Sequence, residues 1–91
     1  MERLELSGEI DLVTAPWQFE KLVASIESRP DEQGSSVEID CSDLRYIDST
    51  GLKMLVGLQE WVGKQLVLVG LSRARRKPFE LAGLDQVFEL R

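Results

Sequence analysis

The chain has 91 residues, 43% hydrophobic and 30% charged, with a formal net charge of −5 at pH 7, no histidine and one cysteine. Residues 1–91 make one domain with an adequate core, burying about 60% of the surface the unfolded chain exposes; an internal disulfide, a Cys/His zinc cluster and a His-dependent catalytic triad are excluded. The acidic balance argues against nucleic-acid binding and adhesion to anionic membranes; short apolar runs and the charged start MERLELSGEID argue against a signal peptide or membrane insertion and for the cytoplasm.

Leu4 and Leu6 alternate with Glu5 and Ser7, and Ile10 and Leu12 resume the alternation beyond Gly8. This predicts an opening strand with a bulge at the glycine. Thr14 then reads as a helix N-cap, Pro16 fits the first turn, and Phe19, Leu22, Val23 and Ile26 form a core-facing stripe. That helix is expected to end by Pro30. Trp17 lies beside the stripe and reads as packing. Pro30 to Ser36 is polar and carries Pro and Gly, which predicts a loop. Val37, Ile39 and Cys41 alternate with Glu38, Asp40 and Ser42, the period of a strand with one apolar face. Cys41 falls on the apolar phase as a small buried hydrophobe. Asp40 and Asp43 lack further ligands, so no metal is expected there, and no cofactor elsewhere.

The chain then turns near Asp48, Ser49, Thr50 and Gly51. The polar three are good N-caps, and Gly51 leaves room around the first backbone N–H groups. Leu52, Leu55, Leu58 and Val62 follow at helical spacing, with Met54 and Trp61 along one shoulder. Gly63 is the expected stop, and Gly57 inside the helix suggests close packing on the sheet. Leu66 to Val69 is an unbroken apolar run, as for a strand covered on both faces. Three strands separated by two helices imply a largely parallel arrangement, with antiparallel pairing open to the first strand. Ser72 caps a third expected helix ending at Ala82, with Gly83 as its stop and Leu84 folding back. Pro78 is expected to kink or delay that helix, and Arg73, Arg75, Arg76 and Lys77 crowd a start where the dipole disfavours cations. These four read as a solvated face or an electrostatic partner patch rather than a nucleic-acid site. A short strand over Val87 to Leu90 closes the chain.

A hydroxyl where a strand turns into a helix suits two roles. It can be a plain cap, or it can accept a phosphate, which meets unpaired N–H donors and a favourable dipole without unfolding the domain. A hydrolase nucleophile fits less well. The GxSxG glycines are missing around Ser49, no histidine can serve as base, and no GxxxxGK loop holds ATP. No catalytic residue is therefore expected.

The run YIDSTGL, entered from a strand and opening a helix, resembles the signature of the STAS domain, named for sulphate transporters and anti-sigma factor antagonists. LSGEID resembles the GELD run of that family, and ELAGLDQVF is similar to its LxxxGLxxxF ending; Arg75 stands where the family usually has an apolar residue. The resemblance implies a small single-domain α/β fold with a mixed four-stranded sheet and about three helices, the family's first strand missing and a sheet edge left to cover. It implies phosphorylation at Ser49 by an anti-sigma factor that is itself a serine protein kinase, with a cognate phosphatase resetting the state. It further places partner contacts at Asp48, Ser49, Thr50, Gly51, Lys53 and Met54, although core packing is an equal role for Met54. Some STAS proteins are instead constitutive subunits docked on the ATPase of a lipid-transport ABC complex, which leaves Ser49 as a cap only. A homodimer through the open edge is a further expectation.

Overall fold

The computed structural model describes residues 4–28 and 36–91. The elements in order are strand β1 (Leu4–Glu5), strand β2 (Gly8–Ile10), helix α1 (Ala15–Glu27), strand β3 (Ser36–Asp40), strand β4 (Leu44–Ile47), helix α2 (Ser49–Val62), strand β5 (Gln65–Val69), helix α3 (Arg73–Leu81), a 3₁₀ turn (Leu84–Gln86) and strand β6 (Glu89–Leu90). The α/β architecture with three helices and a four-stranded sheet is the one expected. The loop expected from Pro30 lies outside the described residues, apart from Ser36, which opens β3.

The main sheet has the order β1-β3-β5-β6, and a separate pair joins β2 to β4. Every described pairing is parallel, including that of the opening strand, rather than the antiparallel pairing open to it by sequence. The reason is connectivity. A helix lies between the members of each pair in the chain and carries it back along the sheet, so successive partners run the same way. The expected opening strand is in fact two. Leu4 and Glu5 pair with Ile39 and Asp40, and the Leu6 N–H still reaches the Asp40 carbonyl at 2.9 Å. The chain then leaves β3 for β4, with Gly8 opposite Leu44 and Glu9 opposite Tyr46, so Arg45 is bulged out. Gly8 adopts φ 75°, a left-handed conformation that makes the crossing at the expected bulge.

Strand β4 has no clear pattern in the sequence. Its buried residues Leu44 and Ile47 are three apart with exposed Arg45 and Tyr46 between them, so the bulge hides the two-residue period.

The core lies between the sheet and helices α1 and α2, which pack on each other. α1 buries Ala15, Gln18, Leu22 and Ile26, with Phe19 and Val23 only partly covered. α2 buries Gly51, Met54, Leu55 and Leu58. Phe79 of α3 meets Phe88 edge to face at 6.1 Å. α3 is not delayed by Pro78. It starts at Arg73, where Ser72 Oγ accepts the Arg75 N–H at 3.2 Å, and runs through the proline. Gly63 and Gly83 end helices as expected.

Two packing expectations change. Trp17 is 60% exposed, with Lys21 Nζ over its ring at 4.9 Å from the centroid. Among the described residues, no atom beyond its own stretch of helix lies within 4 Å of where a Cβ on Gly57 would stand, so close packing is not its reason. Strand β5 buries Leu66, Val67 and Leu68 in succession, as expected of a strand covered on both faces. Val67 lies between Glu38 and Glu89 in register, and Arg91 reaches both, Nε to Glu89 at 2.6 Å and Nη1 to Glu38 at 3.2 Å. This ion-paired arch flanks Val67, which is 2% exposed yet outside the main core cluster.

Candidate functional site at the start of helix α2

Strand β4 delivers the chain to Asp48, whose backbone is extended at φ −105° and ψ −172°. Its N–H donates to the Ile10 carbonyl at 3.1 Å, which fixes the turn to β2. Its Oδ1 accepts the Gly51 N–H at 3.0 Å, and its carbonyl accepts the Leu52 N–H at 3.0 Å. Asp48 is thus the N-cap, satisfying one of the donors that a helix start leaves unpaired. Ser49 is the first residue of α2 and is exposed. Its hydroxyl stands at the positive end of the helix dipole without serving as the cap.

The expected contact residues divide by burial. Ser49 and Lys53 are exposed and lie four apart, on one face of α2, while Asp48 and Thr50 are half-buried beside them. Gly51 and Met54 turn inward. Met54 is 8% exposed and belongs to the core. A Cβ on Gly51 would stand 2.6 Å from Ile47 Cγ1 and 2.8 Å from Ile10 Cγ2. Gly51 is therefore required by the close approach of α2 to β2 and β4, a stronger reason than room around the N–H groups. Trp61, 65% exposed, meets Phe19 edge-on at 6.3 Å, and its Nε1–H donates to Glu27 Oε2 at 3.3 Å.

A second turn adjoins the first. Asp11 Oδ1 accepts the N–H groups of Val13 and Thr14, each at 3.0 Å, and the Asp11 carbonyl accepts the Ala15 N–H at 2.8 Å. Thr14 is the N-cap residue of α1 as expected, but its side chain makes no cap bond, and the Asp11 carboxylate one turn earlier takes the N–H groups instead. The Thr14 hydroxyl instead donates to the Glu9 carbonyl at 2.7 Å and accepts the Asp11 N–H at 2.9 Å. The Thr14 N–H chiefly, with that of Val13, holds the Asp11 carboxyl below its usual value of 3.8. The turn pushes out Leu12 and Val13, 73% and 82% exposed, two and three residues beyond the carbonyl that anchors Asp48. The D-x-x-T spacing from Asp11 to Thr14 was the available signal for the Asp11 contacts.

Cys41 is buried, and desolvation with the adjacent Asp40 charge pushes its thiol up to about 12. Asp40 Oδ1 accepts from the Ser42 N–H at 3.0 Å and the Ser42 hydroxyl at 2.7 Å. Among the described residues no three Cys, Asp or Glu side chains are placed to share a metal ion, and no helix is long and apolar enough to cross a membrane.

A hydroxyl held on a capped helix start beside β4 is the geometry of the YIDSTGL run, and the sequence profile described as "Mlab, STAS domain" matches residues 2–91. The chain belongs to the STAS domain family. This STAS chain is 36% identical to the anti-sigma-B factor antagonist of Bacillus subtilis (strain 168), over 97% of its own length and 79% of that protein's. It is 33% identical to the anti-sigma-F factor antagonist RsfB of Mycobacterium tuberculosis, covering 96% of this chain and 70% of the relative. The crystal structure of an anti-sigma factor antagonist from Mycobacterium paratuberculosis superposes with a TM-score of 0.77 at 36% identity, covering 94% of this chain and 72% of that one.

Proposed function

We propose that this chain is an anti-sigma factor antagonist, a regulatory binding module that captures an anti-sigma factor through the start of α2 and is released when Ser49 is phosphorylated. The observation that carries the reading is an exposed Ser49 at the first position of a helix capped by its neighbour Asp48, in a STAS chain similar to proteins named for this activity. The contact surface consists of Asp48, Ser49, Thr50 and Lys53, with Leu12 and Val13 as its apolar rim. Gly51 and Met54 support it from beneath.

The switch is local. Phosphate adds about two negative charges beside the Asp48 carboxylate. The fold tolerates them because the helix start favours an anion and Lys53 lies one turn along the same face. A partner that docked on the neutral hydroxyl then meets a hydrated dianion and is repelled. The chain binds and is modified; it performs no catalysis of its own.

The test uses wild-type, Ser49→Ala and Ser49→Asp proteins as baits in native lysate, with mass spectrometry of what each retains and of Ser49 after incubation with ATP. Wild type and Ser49→Ala should hold an anti-sigma factor kinase, Ser49→Asp should lose it, and phosphate should appear on Ser49. Equal retention of one partner by all three baits refutes the switch. An ABC ATPase as that shared partner would establish the constitutive-subunit role.

A further inference from the structure

The outer face of α3 breaks a local rule without an intramolecular return. Arg73, Arg75, Arg76 and Lys77 occupy the first turns of the helix, where its dipole is unfavourable to cations. Of these four cations only Arg76 has an ion-pair partner among the described residues, Glu80 at 3.7 Å. Arg73, Lys77 and Leu81 lie four apart on one row, away from the buried Phe79, and Leu81 is 79% exposed. Arg73, Arg76, Lys77 and Glu80 line an open depression of about 460 Å³.

The rest of the chain limits what such a face can receive. The four cations sit in five residues, and the other 86 residues hold 7 Lys and Arg against all 16 Asp and Glu, a balance of −9. The molecule measures only 33 × 26 × 22 Å, so an extended phosphate surface would also face this acidic remainder within a few Debye lengths of about 8 Å. No aromatic ring is interleaved with the cations to stack on bases. A narrow anionic strip carrying an apolar group meets neither objection.

We propose that the outer face of α3 is a second docking surface, on a different helix from Ser49, for an acidic protein segment. Carboxylates at helical four-residue spacing face Arg73 and Lys77, and an apolar side chain covers Leu81. This surface does not depend on the state of Ser49.

The test is fluorescence anisotropy with a labelled synthetic peptide of about fifteen residues that carries Glu at four-residue spacing and a Leu one turn further on. Duplex DNA and phosphatidylglycerol vesicles serve as rival ligands. Wild type and Ser49→Asp should bind the peptide equally, and more tightly than either rival. Raising salt from about 50 to about 300 mM should weaken the complex. Arg73→Glu with Lys77→Glu should weaken it about tenfold or more. A glutamate at the first helical position favours α3, so circular dichroism should show the fold intact. Leu81→Ser should weaken this peptide but not poly-glutamate. Lys21→Glu with Arg45→Glu makes the same change in net charge elsewhere and should bind as wild type. The proposal is overturned if wild type does not bind the peptide, if the two double variants behave alike, or if DNA or vesicles bind more tightly.

Discussion

Two glycines six residues apart in α2 should respond in opposite directions to alanine. Gly57 stands mid-helix without positive φ, and an added Cβ would touch nothing within 4 Å. Gly57→Ala therefore removes backbone freedom from the unfolded chain at no steric cost and should stabilise by up to about 1 kcal/mol. In a domain of this size that raises the midpoint of thermal unfolding by about 4–8 °C per kcal/mol. Gly51→Ala places its Cβ 2.6 Å from Ile47 Cγ1, 2.8 Å from Ile10 Cγ2 and 3.0 Å from the Ile10 carbonyl. Ile10 and Ile47 are 0% and 6% exposed, so neither can swing into solvent. The helix must lift, which also stretches the Asp48 N–H bond to that carbonyl. Overpacking of this kind costs about 1–3 kcal/mol, offset by at most about 1 kcal/mol of helix propensity. Urea and thermal denaturation followed by circular dichroism decide the matter. A destabilised Gly57→Ala or a stabilised Gly51→Ala would refute the packing described for α2.

Asp48→Ala should lose about 0.5–2 kcal/mol as the Gly51 N–H loses its acceptor, and Asp48→Asn should retain most of that, read from the urea midpoint. Asp11 titrates below its usual value of 3.8 in the folded protein. Its contribution is therefore full above about pH 4 and is lost as pH falls through the folded value; Asp11→Asn should flatten the acid limb of the stability–pH curve, and an unchanged limb counts against it. Cys41, raised from 9.0 to about 12, is all but about one part in ten thousand protonated at pH 8, so a thiol reagent should label it only as fast as the protein opens; immediate labelling would contradict its burial. The same shift lowers stability as pH rises from about 9 towards 12, because the unfolded thiol ionises first.

Most of the elements were legible because their patterns are local. Leu52, Leu55 and Leu58 mark a helix by spacing, Val37 and Ile39 a strand, and Gly63 and Gly83 their stops. Ser49 at a strand-to-helix turn was legible for the same reason, since a capped helix start is written in adjacent residues. β4 was not, because a bulge at Arg45 broke its period, and the bonds of Asp11 ahead of the Thr14 cap depend on how the turn folds.

Other properties depend on residues far apart in the chain. The sequence determined that Gly51 follows Asp48, but only the approach of Ile10 and Ile47 makes any side chain there a clash. Periodicity offered Met54 and Trp61 as equals, and the packing of α1 on α2 sent one into the core and left the other outside. Helical spacing placed Lys53 one turn from Ser49, whereas only the fold ties the Asp48 N–H to the carbonyl of Ile10 and leaves Leu12 and Val13 exposed. The difference is physical: local spacing sets which residues share a face, and only the tertiary contacts decide which face is left to water.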